Sequence, residues 1–172
     1  MQLSNYIIRS PRLADLDRCF EIETISYEGD EAATREKIKT RIENYPMGFM
    51  IIEINNEVAG FINSGCADNV QMSDEKFKEL IGHHPDGKHN VIMSVVVHPN
   101  YQGLGLSSIL LVNYVLRMKR LNKVSIQLMC KEIHIKLYEH FGFKYVKPSI
   151  SHHGGMSWHE MVMPLKIAAQ HT

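Results

Sequence analysis

The chain has 172 residues, 44% of them hydrophobic and 22% charged, and its 19 basic side chains balance 19 acidic ones. Such composition excludes global disorder, and a chain of this length forms one domain that buries roughly 70% of its unfolded surface without disulfide or metal staples. Zero formal charge argues against a bulk nucleic-acid binder or a polybasic membrane protein, yet leaves room for a local anion site.

Tyr6-Ile7-Ile8 reads as a short strand. Ser10-Pro11 offers an N-cap and a first-turn proline to a helix carrying Leu13, Leu16, Phe20 and Ile22 or Glu23 at helical spacing. A second helix is predicted over about residues 31–44, with Ile38 and Ile42 four apart and Pro46 closing it. Residues 49–54 and 58–63, joined by Asn55-Asn56, give a hairpin signal. Residues 72–81 read as a short helix on a polar insertion that extends to 88 and is the segment expected to move most. Residues 91–97 are a near-continuous apolar run, broken only by Ser94, as in a strand covered on both faces. His98-Pro99-Asn100 ends that strand, a glycine loop follows, and a helix is predicted over 108–121. A buried strand over 124–129, a short helix over 133–141 stopped by Gly142, and closing strands over 143–146 and 156–163 complete the chain. The linker of the last two strands holds His152-His153-Gly154-Gly155. The order is mixed α/β, an antiparallel hairpin first and then strand–loop–helix–strand, whose crossover demands a parallel pair.

Cys19, Cys66 and Cys130 are an odd, scattered set with no CxxC spacing. They read as reduced thiols of a cytoplasmic protein with no metal site. Residues 1–30 show no signal-peptide pattern, and no apolar stretch approaches the roughly 20 residues of a membrane span.

The chemistry concentrates in Gln102-Gly103-Leu104-Gly105-Leu106-Ser107-Ser108, between a buried strand and a helix. Glycines there allow close backbone approach, and the first free N–H groups of the helix point at a ligand with the positive end of the dipole behind them. That is a phosphate site made of backbone, to which Gln102, Ser107 and Ser108 add neutral hydrogen bonds. The spacing is neither a P-loop, since no GK[ST] follows, nor a dinucleotide GxGxxG, since residue 108 is Ser. A glycine-rich helix start without a ligand is the plain alternative.

Val95-Val96-Val97-His98-Pro99-Asn100-Tyr101-Gln102-Gly103-Leu104-Gly105-Leu106-Ser107 resembles motif A of the GNAT acyl-CoA N-acyltransferases, and Leu137-Tyr138-Glu139-His140-Phe141-Gly142-Phe143 resembles a second family segment one strand later. The resemblance extends from about Tyr6 to Leu165 and makes 1–172 a single domain with its core over about 6–165. It implies a splayed central mixed sheet of six to seven strands flanked by helices, acetyl-CoA as cofactor, and transfer of the acetyl group to a primary amine. In such an enzyme the pantetheine arm pairs with the strand at Val95, Val96 and Val97, the pyrophosphate rests on the backbone from Gln102 to Ser108, and Tyr138 stands beside the sulfur as general acid. A phenol with pKa about 10 can protonate a departing thiolate. Phe20-Glu21-Ile22-Glu23, Asp30-Glu31-Ala32-Ala33, His84-Pro85-Asp86-Gly87, Leu128-Met129-Cys130 and Glu160-Met161 look most like the arylalkylamine (serotonin-type) branch.

That branch carries two histidines where this chain has Val91 and Met93, so its proton relay is absent and the base must lie elsewhere. Glu23 and Glu28 fall on the acceptor side, where they can draw a proton, bind an ammonium or sit in solvent. His98 reads as a turn residue, Cys130 as packing, and His152-His153 as either an edge of the substrate mouth or an exposed pair. Lys131 is placed to meet a cofactor phosphate or stay solvated. Tyr27, Glu28, Asp30 and Glu31 lie in the loop after the first helix, where carboxylates attract a cationic amine and Tyr27 adds a cation–π contact. Asp30 and Glu31 can equally cap the second helix. An aromatic slot would draw on Met47, Phe49 and Met129. The expected partner is a small-molecule primary amine of arylalkylamine or polyamine type, with no nucleic acid and no membrane, for a monomer or homodimer. A protein or peptide amine and a non-catalytic acyl-CoA sensor are the alternatives.

Overall fold

A computed structural model describes residues 5–27 and 29–166. Seven strands form one sheet: β1 (Tyr6–Arg9), β2 (Met50–Ile54), β3 (Glu57–Ala67), β4 (His89–Val97), β5 (Ser125–Cys130), β6 (Lys144–Pro148) and β7 (His159–Pro164). Among the described residues four α-helices flank it: α1 (Leu16–Ser26), α2 (Arg35–Asn44), α3 (Leu106–Arg120) and α4 (Ile135–His140). Sheet order is β1-β2-β3-β4-β5-β7-β6, so the last strand inserts between β5 and β6. Every neighbour pair is antiparallel except β4 with β5. This is the mixed α/β fold that the resemblance implies, with the crossover through α3 supplying the parallel pair.

The hairpin forms where expected because Asn55 and Asn56 both take positive φ, 50° and 64°, the geometry of a primed turn. The helix starts differ from the sequence reading. Ser10-Pro11 does not cap α1; a 3-10 turn over Leu13–Asp15 precedes it, and Arg12 N–H donates to the Asp15 carboxylate at 2.7 Å. α2 begins at Arg35, and its cap is Thr34, whose hydroxyl accepts from Lys37 N–H at 3.3 Å; Asp30 and Glu31 sit in a separate turn, Gly29–Glu31. The insertion contains a 3-10 turn, Glu75–Glu79, in place of an α-helix.

Two apolar layers sandwich the sheet. Ile52, Ile62, Ile92, Leu110, Tyr114 and Ile126 meet beneath α3. Cys19, Ile22, Ile38, Phe49, Phe61 and Val96 meet beneath α1 and α2. The insertion is pinned by Phe77 and Leu80, which crowd Gly65 on β3, and by Arg41, whose guanidinium donates to Lys78 O.

β4 and β5 hold together over three pairs only, His89 with Ser125, Asn90 with Ile126 and Val91 with Gln127. Side chains reinforce that short ladder. His89 Nδ1 meets Ser125 Oγ at 2.6 Å, and Asn90 donates to the Tyr45 and Tyr114 hydroxyls at 3.1 Å each. Beyond it the β3–β4 register slips by one residue at Met93, a β-bulge that turns β4 away from β5. The strands splay, and the backbone of residues 93–97 loses its neighbour on that side.

Candidate active site

The splay opens a cleft of about 460 Å³. Val95, Val96 and Val97 form one wall, Met129, Cys130 and Lys131 the other, with Gln102 and Ser107 at one end. Val96 turns its side chain into the layer under α1, so it presents backbone to the cleft. Gln102 donates through Nε2 to Val97 O at 3.2 Å. Gly103 and Gly105 both have φ of 79°, and a Cβ on either would meet nothing within 4 Å. Gly105 is the N-cap of α3 and no side chain bonds the helix start, which leaves its first N–H groups free for an anion. Leu104 and Leu106 anchor the loop by packing into the core, so they too offer backbone only. Ser108 is exposed and lies outside the cleft wall.

Tyr138 projects from α4 into the same cleft, with its ring edge-on to Phe143 at 5.6 Å between centroids. Burial, with the neighbouring Cys130, pushes its phenol above the ordinary value, so the hydroxyl keeps its proton at neutral pH and can donate it. Burial also pushes the Cys130 thiol up to about 11. A protonated thiol is a poor nucleophile, in keeping with a packing role.

A second space of about 80 Å³ lies on the far side of Tyr27, Met129 and Trp158, residues that wall both spaces. Val91 and Met93 line it, at the positions where the arylalkylamine branch carries histidine. Its roof is made by three turns. His153 Nδ1 meets Glu75 Oε2 at 3.2 Å and its Nε2 meets Glu31 O at 3.0 Å, while Trp158 Nε1 donates to His153 O at 2.9 Å. His153 is therefore a keystone of the roof and not an exposed loop residue. Lys131 is not free for a phosphate in this state, because it pairs with Glu31 at 2.5 Å. Phe49 is fully buried in the core and Met47 lines a separate cleft with Pro85, Lys88 and Lys123, so neither lines this space. Met129 does.

Tyr27 is half-buried; burial pushes its phenol well above the usual value, Glu23 and Tyr138 add to the rise, and the Val95 backbone N–H opposes it. Glu23 is 1% exposed, behind β4 and away from solvent. Its Oε1 accepts from Ser94 Oγ and from Ala33 N–H, each at 3.0 Å, whereas Oε2 has no partner among the described residues. Burial raises its pKa against the pull of the Ala33 N–H and Arg41. It lines a cavity of about 20 Å³ shared with Arg41, Met93 and Glu31. Glu28 lies outside the described residues. His98 caps its turn, accepting from Asn100 N–H at 3.1 Å, and takes no place in either space.

A family model described as the acetyltransferase (GNAT) family matches residues 13–143. The chain belongs to the GNAT acetyltransferases. Among solved structures, it is similar to the loading GNATL domain of CurA from Lyngbya majuscula, with TM-score 0.85 and 19% identity over 94% of this chain and 98% of that one. A GNAT-like decarboxylase, GphF, in complex with isobutyryl-CoA gives TM-score 0.78 and 13% identity, over 93% of this chain and all (100%) of that one. The putative acetyltransferase yncA from Salmonella typhimurium, solved with acetyl-CoA, gives 0.69 and 23% over 95% of each chain. These identities show a shared fold. A curated relative, a probable hydrolase YhcX of Bacillus subtilis, is 24% identical over 103 residues, which is 56% of this chain and 20% of that protein. The chain thus spans a fifth of that relative's length.

Within this GNAT fold, sequence reasoning missed Trp158 and Lys78, and it offered His153 only as one of a pair that could edge the substrate mouth. A lone tryptophan beside a His-Gly-Gly turn was the available signal for the roof. No local pattern marks Lys78, which reaches the pocket because Arg41 holds its backbone.

Proposed function

We propose that this protein transfers the acetyl group of acetyl-CoA to the primary amine of a small molecule by direct attack. The observation that carries the reading is the junction of two spaces across the β4–β5 splay: a backbone-lined cleft containing Tyr138, and a small roofed pocket behind Tyr27 and Trp158. The cofactor lies with its pyrophosphate on the free N–H groups of 103–107 and its arm along β4, where strand backbone lacks a partner. The GNAT neighbour solved with acetyl-CoA supports that choice of cofactor.

The amine nitrogen forms a bond to the thioester carbonyl carbon, and the carbon–sulfur bond breaks. A strand N–H stabilises the oxyanion between the two events. Tyr138 donates a proton to the leaving thiolate. The proton lost by the amine goes toward Glu23, whose unpartnered Oε2 sits at a cavity of about 20 Å³. That space fits about one water, enough to connect the carboxylate to the pocket. Glu31, Lys78, Met93 and His153 wall both that cavity and the pocket.

The roofed pocket favours a small amine over a peptide, which would need an open groove. Whether the amine is an arylalkylamine or a polyamine follows from the lining: Tyr27, Phe77, Met129 and Trp158 supply the flat apolar walls that an aryl group needs. A second reading, loss of carbon dioxide from a carboxylated acyl-CoA, draws on the likeness to GphF.

The deciding experiment measures CoA release from acetyl-CoA with a panel of aryl- and polyamines, and from malonyl-CoA without amine. Wild type acetylates an amine, and Tyr138→Phe loses about tenfold or more in kcat while keeping its affinity for acetyl-CoA. Tight CoA binding with no turnover of any amine overturns the reading in favour of a sensor. Decarboxylation without amine transfer overturns it in favour of the second.

A further inference from the structure

The Lys131–Glu31 ion pair bridges the end of β5 and the turn after α1. Its two partners are unequal. The Glu31 side chain is 5% exposed and that of Lys131 is 29%. Glu31 walls the cofactor cleft, the roofed pocket and the Glu23 cavity alike, whereas Lys131 walls only the cleft. Glu31 is also fixed in place. Its carbonyl accepts from His153, and Gly154 approaches so closely that a Cβ there would stand 3.2 Å from the Glu31 Cα and N. Lys131 sits at the end of a long flexible stem with its outer part in solvent, so it is the partner able to leave.

The ammonium on Glu31 is itself a primary alkylammonium, delivered by this chain to the meeting point of the two spaces. We infer that Glu31 is the carboxylate that receives the ammonium group of the acceptor, and that Lys131 is a stand-in which the acceptor displaces. A carboxylate this buried is destabilised if left bare, so exchange of one ammonium for another keeps it neutralised throughout. With the acceptor docked, Lys131 is released toward the cofactor side. The inference deepens the N-acetyltransferase reading by naming how the amine is recognised, and it rests on that reading for the amine's later fate.

The test measures binding without turnover, by calorimetry on the CoA-loaded protein. The probes are ethylamine, 2-phenylethylamine and putrescine, each beside its alcohol analogue. Wild type binds at least one ammonium more tightly than the matching alcohol. Glu31→Gln weakens that ammonium by about tenfold or more and leaves the alcohol unchanged, as loss of a buried charge partner requires. Lys131→Met, which keeps the apolar stem and removes the competitor, tightens the ammonium several-fold. The opposite signs separate this from a structural pair, in which both variants would weaken binding. That shared weakening overturns the inference, as does an unchanged preference in Glu31→Gln or no ammonium preference in wild type. Acetylation by Glu31→Gln at unchanged KM for the amine sinks this recognition while leaving the N-acetyltransferase reading intact.

Discussion

A carboxylate that is 1% exposed is ordinarily paired, and Glu23 has one oxygen without a partner among the described residues. Its burial follows from helical phase, since Leu16, Cys19 and Glu23 recur at intervals of three and four along one face of α1. The sequence therefore carried the position; its placement against Ser94, 71 residues away, came from the fold. Because burial raises the Glu23 pKa, its basic form is lost at a higher pH than an ordinary carboxylate near 4.5 would show. Activity of the wild type falls as pH drops through that raised value. Glu23→Gln lowers kcat by about a hundredfold and flattens this acidic limb, measured as kcat against pH. Stability moves the other way. The folded state binds the Glu23 proton more tightly than the unfolded chain, so stability is greatest below the unfolded value and declines as pH rises through the window above it. Melting curves across pH lose that component of the decline in Glu23→Gln. An unaltered acidic limb removes Glu23 from the proton path.

At the scale of elements, the loop from Gln102 to Ser107 and helix α3 were legible together. Glycines between a buried apolar run and a helical period define both the turn and the dipole behind it. Gly105 takes φ of 79° with open space where a side chain would stand. Gly105→Ala therefore costs about 1–2 kcal/mol of stability from the left-handed backbone. It also lowers acetyl-CoA affinity if the pyrophosphate rests where we propose, because the new methyl enters that open volume. Gly82→Ala is the control, since φ there is 88° and its surroundings are equally empty. It shows the stability loss alone. Equal affinity in the two variants would take the loop out of the cofactor site. Helix starts were less legible. Asp15 fixes the turn ahead of α1 by accepting from Arg12 N–H and by pairing with Arg9 at 2.8 Å, the second a bond between different elements that no local pattern reveals.

For the whole molecule, formal charge of zero excluded a basic face but was silent on the cleft. Of its described walls, Lys131 is the lysine, and it is engaged with Glu31. Cofactor affinity is thus expected to fall less steeply with salt than at a lysine-lined phosphate site, as a helix end presents only about half a charge to screen. At about a hundred times its Kd, acetyl-CoA stabilises the fold by about 2.7 kcal/mol and raises the melting temperature by roughly 5–10 °C. Scanning calorimetry checks both, and a melting temperature indifferent to acetyl-CoA would contradict the cleft as its site. The strand segments, the parallel pair and the glycine loop were in the sequence, because periodicity, turn residues and helix dipoles are local properties, whereas their joining into one sheet of six to seven strands was implied by the family resemblance. Tertiary structure alone decided that β7 enters between β5 and β6, that Lys131 reaches Glu31, and that His153 closes a roof over the pocket. The last two join residues 100 and 122 positions apart, and β7 pairs with strands on both sides at once; each is selected by which groups are left unpaired once the layers have packed, and nothing in a local pattern holds that information.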